Sequence, residues 1–258
     1  MQLWTKEHFL QLIPSVAIML IIALILNKFI GKKPLKIRMI PFQILAVILL
    51  LSEIGKQVIS LCKGYDLYHI PLHVCSLFIF LIPAMAFYRG KRADTVKTVA
   101  SSICVSLILF MTIYPNLIYS PDNITNFFGD YFDFHTVFFH NVVIFEFILI
   151  IVLRLHQIEG KKSYLLPMFI FSATYALLAA VMAQLIKTNF SNFYSCNIPP
   201  VQDLINSIKG SIGDLWGQLI YVSILFVLHI LFFIGSHYLY RAIDKLNTKL
   251  RGKAPAEQ

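Results

Sequence analysis

Residues 12–30, LIPSVAIMLIIALILNKFI, form a nearly unbroken apolar run with one charge, and residues 31–38, GKKPLKIR, follow at once with four. About 20 apolar residues are what an α-helix needs to cross about 30 Å of hydrocarbon. A basic cluster at the end of such a run marks the cytoplasmic side of a span. This one boundary predicts a membrane helix whose N-terminus lies outside.

Working outward, six further runs meet the same length requirement. With the first at 12–30, they fall at about 39–61, 68–88, 96–117, 134–155, 164–186 and 215–240. Long continuous runs favour helices over barrel strands, which would alternate in short segments. The 1–2 connection carries Lys28, Lys32, Lys33, Lys36 and Arg38, and the 3–4 connection Arg89, Lys91, Arg92 and Lys97. The 5–6 connection carries Arg154, Lys161 and Lys162, and the tail Arg241, Lys245, Lys249, Arg251 and Lys253. The opposite side holds only Lys6, Lys63, Lys187 and Lys209. Basic residues on every second connection predict an all-α bundle of seven transmembrane helices, N-terminus outside and C-terminus cytoplasmic. Residues 1–240 are read as that domain and 241–258 as a basic cytoplasmic tail, partly disordered. The expected location is the cell membrane, as a multi-pass protein.

Composition agrees. Of the 258 residues 58% are hydrophobic and only 14% charged, against about 25% charged in soluble domains. The net charge of +9 sits in clusters beside apolar runs, without a basic stripe interleaved with aromatics, which excludes a nucleic-acid partner. The first residues, MQLWTKEHF, lack the basic n-region of a signal peptide, so the first run is expected to remain as a helix. No internal repeat is visible. Cysteines 62, 75, 104 and 196 form no CxxC pair, so neither a thiolate metal site nor a cofactor is expected. Cys62 and Cys196 both fall on the predicted outer side, where a disulfide is open to them. N-I-T at Asn123 and N-F-S at Asn189 match the glycosylation triplet. In the loop 187–214, Val201, Leu204, Ile205 and Ile208 recur at helical spacing, as in a segment lying on the membrane surface.

Polar groups inside spans are costly and commonly face the bundle interior or a wet cavity. The second run carries Ser52, Glu53, Lys56, Gln57 and Ser60 near its outer end. Glu53 and Lys56 are i,i+3, and Glu53 and Gln57 i,i+4, so one helix face is polar. Pairing of Glu53 with Lys56 for structure alone, or the lining of a site, both follow from that spacing. The third run opens with YHIPLHVCSL, with Pro71 suited to a first helical turn. His69, His73 and Ser76 share a face there, and Cys75 lies roughly 8–10 Å deep. A membrane-buried Cys on its own is commonly an inert small hydrophobe. The fifth run opens with FHTVFFHNVVIFE, in which Thr136 and His140 are i,i+4 with Asn141 adjacent. His140 lies roughly 9 Å deep, level with Cys75 and near Glu53. Three helices thus bring ionisable groups to one depth. Deeper in the fifth run Glu146 has no local partner and needs one elsewhere or a proton. His229 and His237 read as packing residues, and Gln184, Trp216 and Tyr221 as groups able to rim the same cavity.

IPLHVCS in the third run, followed by FFHN in the fifth, resembles the YwaF family of bacterial seven-helix membrane proteins. The signature is Pro71, Leu72, His73 and Cys75; the rest of the likeness is mainly hydropathy. That family is related to a eukaryotic transmembrane acyltransferase that remodels phospholipids through a Cys and a His. A more distant group of membrane hydrolases cleaves lipid esters with Thr and His. The resemblance implies Cys75 as nucleophile and His140 as base, with His73 and His135 as alternative bases.

The chemistry is consistent with that assignment. A thiol attacks as its thiolate and so needs a base or cation beside it. An acyl-enzyme then divides acyl transfer into two steps. Asn141, His73 or Lys56 would serve as oxyanion donors, and Glu53, Gln57 and Thr136 complete the expected substrate-binding set. A site 8–12 Å below the surface by helical rise meets lipid ester linkages, making membrane lipids the expected partners and substrate. A second reading is a transporter, channel or transport-complex subunit with Glu53, Lys56, His73 and Glu146 along a path. A third is a scaffold whose polar groups only specify helix packing. A sealed floor beneath the cluster favours the enzyme, a through-going polar path the transporter.

Overall fold

A computed structural model describes residues 3–158 and 164–252. Lys161, Lys162 and residues 253–258, which enter the predicted charge pattern and tail, lie outside the described residues. The chain forms α1 (Lys6–Ile30), α2 (Leu35–Arg38), α3 (Ile40–Cys62), α4 (Leu77–Phe87) and α5 (Ala93–Ile113). It continues with α6 (Pro121–Thr125), α7 (Tyr131–Val152), α8 (Leu165–Ile186), α9 (Pro199–Ile212) and α10 (Asp214–Arg251). Among the described residues six helical runs are long and apolar enough to cross a membrane: α1, α2 with α3, α5, α7, α8 and α10.

α1 is apolar all round, and only His8, Leu12 and Ala23 of it are buried. Leu10, Ile13, Ile21, Leu24 and Phe29 face outward, as suits a helix with lipid for solvent. α7 packs on α1, α3 and α5, and α4 fits between α3 and α5. Their shared core includes Phe42, Ala46 and Leu49 of α3, Phe78 and Ile82 of α4, Ile103 of α5, and Val143 and Ile150 of α7. α8 turns Ala176, Ala179, Ala180 and Ala183, all buried, toward the bundle where it meets α10. Small side chains at i, i+3, i+4 and i+7 let two backbones approach closely where lipid supplies no hydrophobic drive.

The third predicted span is broken. Only Val74–Phe87 is continuous helix there, 3₁₀ at first and α from Leu77. Pro71, expected in the first turn, precedes the helix. A proline biases the residue before it toward extended backbone, and Ile70 accordingly sits at φ −59°, ψ 130°. Residues between the turn Leu67–His69 and Val74 are therefore irregular. Hydropathy is unchanged by such a break, which is why the apolar run concealed it.

The other end of the chain is more regular than expected. α10 continues past Tyr240 to Arg251, so the first part of the predicted tail is helix. Its polar residues satisfy the chain leaving α7: Asn247 donates to Ile151 O at 2.9 Å, Arg251 to Val152 O at 2.9 Å, and Asp244 accepts from Ile158 N at 2.9 Å. At 1.5 Å per residue α10 spans about 57 Å, well over the hydrocarbon thickness. α9 forms where the helical spacing of 201–208 placed it, and packs on α10. All four cysteines are free, Cys62 and Cys196 included.

Candidate functional site

α3, α7 and the irregular segment before α4 enclose a cavity of about 370 Å³. α3 contributes Glu53 and Lys56; the turn Leu67–His69 contributes His69, the irregular stretch after it His73, and the start of the run Val74–Phe87 Cys75; α7 contributes His135, Thr136 and His140. Of the residues anticipated from the sequence, Cys75, His140, His73, Glu53, Lys56 and Thr136 line it.

Glu53 is the electrostatic hub. Its Oε1 receives Lys56 Nζ at 2.7 Å and Gln57 Nε2 at 2.7 Å. Its Oε2 lies 3.2 Å from His135 Nε2, a charge-pair distance, yet neither of those atoms completes a hydrogen bond. Gln57 does not line the cavity. It braces it instead, donating also to His69 O at 2.8 Å and accepting from Tyr65 OH at 2.8 Å. The His69 ring stacks on Phe132 at 4.6 Å, and its Nδ1 meets Ser60 Oγ at 2.6 Å. A buried charge pair holds only when its remaining lone pairs are also satisfied, and this network does most of that.

His140 is held differently. Its Nδ1 lies 2.6 Å from Thr136 O. A backbone carbonyl only accepts, so Nδ1 carries the proton and Nε2 keeps the lone pair. That Nε2 is buried and meets no partner, in a side chain that lines the cavity. An unengaged imidazole nitrogen facing a polar cavity is what a general base requires. It follows that no hydrogen bond yet joins His140 to Cys75. His73 donates Nε2–H to Tyr68 O at 3.2 Å, which occupies it as a base at that nitrogen.

Asn141 is not part of the lining. Its amide donates to Val137 O at 2.7 Å within α7 and its Oδ1 is buried without a partner. The Thr136 hydroxyl likewise donates back along its helix, to Phe132 O at 2.8 Å. The residues expected to rim the cavity from α8 and α10 do not reach it. Gln184 donates to Phe193 O at 2.7 Å, Tyr221 donates to Asn192 O, and Trp216 is exposed. His237 contacts Ser102 Oγ at 3.0 Å, and His229 stacks on Phe193 at 4.8 Å. Glu146 is fully buried on α7 with neither carboxylate oxygen partnered.

Two contributors carried no signal in the sequence. Tyr175 of α8 donates its hydroxyl to Leu72 O at 3.0 Å and contacts Ser191 Oγ at 2.6 Å. Ser191 in turn accepts from Val74 N–H at 2.9 Å. Irregular backbone survives at membrane depth only where protein satisfies it, and these two hydroxyls do so on either side of His73. Ser191 holds an unusual conformation, φ 49°, in the connection between α8 and α9. Among the described residues no group of three or more His, Cys, Asp or Glu is arranged to hold a metal ion.

No curated protein and no solved structure shows significant similarity to this chain. The model of the TMEM164 family, a transmembrane family, matches residues 3–240. The chain is a membrane protein and belongs to the TMEM164 family.

Proposed function

We propose that the protein transfers or hydrolyses acyl groups of membrane lipids, with Cys75 as nucleophile and His140 as base. The observation that carries this reading is the presence, in one cavity, of a thiol and an imidazole nitrogen left free by its tautomer. The resemblance of the PLHVC stretch to the YwaF family supports it. His140 Nε2 takes the thiol proton, and the thiolate adds to the ester carbonyl carbon. Collapse of the tetrahedral intermediate breaks the ester C–O bond, and the leaving oxygen takes that proton back. An acceptor hydroxyl or water then attacks the thioester, its own proton passing to His140; the C–S bond breaks, and the Cys75 thiolate takes that proton from His140. Hydrogen bonds of this kind are commonly long without substrate and tighten in the complex.

On this reading the basic loops face the cytoplasm, so that the cavity lies in the outer half of the cell membrane, with seven crossings and the N-terminus outside. The broken segment 67–87 makes the third crossing. Lipid ester linkages lie at that depth, and Glu53, Lys56, His73 and Thr136 face the bound lipid. The test is lipid turnover by the purified chain in nanodiscs. Cys75→Ala abolishes turnover with an unchanged melting temperature on this reading; unchanged turnover removes the nucleophile.

One observation favours transport instead: Glu146 is a buried, unpartnered carboxyl beyond the cavity, of the kind that marks ion routes. Proton or cation flux into vesicles that Glu146→Gln stops would select that reading.

A further inference from the structure

The segment leading to Cys75 is tied to the rest of the molecule by a relay of two hydroxyls. Val74 N–H donates to Ser191 Oγ at 2.9 Å, Tyr175 OH donates to Leu72 O at 3.0 Å, and the two hydroxyl oxygens lie 2.6 Å apart. An amide only donates and a carbonyl only accepts, which fixes the direction. Val74 N–H donates to Ser191, Ser191 O–H to Tyr175, and Tyr175 O–H to Leu72. The relay starts and ends on the residues flanking His73 and closes a ring around it. Among the described residues, the remaining backbone hydrogen bonds of residues 70–75 stay within their own segment and the helix it leads into.

We infer that Tyr175 and Ser191 are positioning residues, whose joined hydroxyls set where Cys75 stands relative to His140. The inference rests on Cys75 being the nucleophile. Three observations carry it. First, the two members of the dyad hang on different parts of the bundle. His140 rides on α7, which packs on α1, α3 and α5, whereas Tyr175 belongs to α8, which packs chiefly on α10. The relay ties the nucleophile's segment to that second group, and Phe190 adds a ring contact to His73 at 5.4 Å. Second, Cys75 follows directly on Val74, where the relay begins, so a shift there passes to the sulfur with little slack. Third, Ser191 stands at φ 49°, a left-handed conformation that glycine adopts freely and other residues adopt under strain. The hydroxyl is what serine brings to that position and glycine would not.

Position matters here because a thiol and its base act only in near-attack geometry, and a misplacement of about 1 Å costs about 10² in rate. Cys75 and the unpartnered Nε2 of His140 share one cavity without a hydrogen bond between them. How far apart they stand when substrate enters is what the relay governs. Each hydroxyl both accepts and donates, so the relay spans the segment only while both are present. Pro71 has no N–H, and the His73 ring bonds within the segment, to Tyr68 O. No other hydrogen bond therefore restores residues 72–74 once the relay is cut, and Cys75 drifts from His140 while the helices around it stay packed.

The test follows turnover of p-nitrophenyl octanoate by the full chain in nanodiscs, with the rate expressed per folded protein from near-ultraviolet circular dichroism. Tyr175→Phe removes one hydroxyl. Ser191→Gly removes the other and relieves the left-handed strain at the same time. Each should lower kcat by about 10–10² with KM within about threefold, the pattern of an interaction needed only in the transition state. The double variant should lose no more than the worse single one, since both hydroxyls serve one relay. A role confined to folding would lower the folded fraction and leave kcat per folded protein at the wild-type value, and that result overturns the inference. So does a loss carried by KM alone, or losses that multiply in the double variant. Where Tyr175→Phe does not fold, Ser191→Gly decides by the same criterion. Wild-type kcat in the hydroxyl variants beside an inactive Cys75→Ala overturns this inference alone; turnover retained in Cys75→Ala overturns the functional reading beneath it.

Discussion

Lys56 Nζ lies 2.7 Å from Glu53 Oε1, one turn along α3, and the two side chains are only 14% and 7% exposed. Removing one member of such a pair leaves the other buried and uncompensated, which costs about 3–5 kcal/mol. Replacing both with apolar residues of similar volume is often neutral. Glu53→Leu and Lys56→Met should therefore each lower the melting temperature strongly, and the double substitution should recover most of the loss. Thermal denaturation of the four proteins in detergent measures the coupling. Additive losses would mean that the pair is not a unit.

His140 should separate catalysis from folding. Its one hydrogen bond runs to Thr136 O in its own helix, and its buried ring packs on Tyr119 and Phe139, contacts that a glutamine of similar length largely keeps. His140→Gln removes the free ring nitrogen, and loss of a general base lowers rate by about 10²–10⁴. The expected result is a loss of kcat in that range with a melting temperature close to wild type. An equal loss from His73→Gln, with His140→Gln unaffected, would move the base to His73.

His156 predicts a pH dependence from outside the spans. It lies in the chain after α7, with Nε2 2.8 Å from Thr98 Oγ1. Burial pushes its pKa down to about 4, Asp94 nearby opposing the shift and Lys97 adding to it. The unfolded chain takes up the proton near 6.5 and the folded one only near 4. The stability this neutral imidazole brings is complete above about 6.5 and is lost as pH falls toward 4, on the order of 3 kcal/mol. Melting temperature followed from pH 7 to pH 4 should fall, and His156→Gln should flatten part of the fall. A rise in stability over that window would reverse the assignment.

The helical hairpin of α9 and α10 depends on Gly217. A Cβ there would lie 2.6 Å from Lys209 Cγ and 2.9 Å from its Cα, and backbone cannot move aside as a flexible side chain can. Gly217→Leu should therefore lift α9 from α10 and expose residues 199–212 to proteolysis, while lipid turnover changes little. Protease resistance equal to wild type would show that the approach is less close than described.

The long apolar runs were legible because lipid burial demands them whatever the packing. Depth along those runs set Glu53, Cys75 and His140 at one level, and residues from α3, α7 and the start of the run Val74–Phe87 do share one cavity, but depth alone did not fix which faces meet. What could not be read was direction and break. Pro71 looked like a helix start, but nearby Leu72 O accepts from Tyr175 and Val74 N–H donates to Ser191, residues about a hundred positions away. No local rule links a tyrosine in an alanine-rich helix to a carbonyl before a cysteine. Asn141 was drawn in by adjacency to His140, and one residue along a helix turns a side chain about 100° away. The polar stretch after Tyr240 resembled a fraying tail, whereas its side chains cap the chain leaving α7.

The central claim is that Cys75 carries the acyl group. The most direct measurement is mass spectrometry of the purified protein, acid-quenched during turnover of an acyl lipid and digested to peptides. The account predicts an acyl mass on the peptide containing Cys75, removed by neutral hydroxylamine as a thioester is, and lost in Cys75→Ala. Turnover with no acyl adduct at any stage of the quench, or an adduct on another residue that persists in Cys75→Ala, would contradict it.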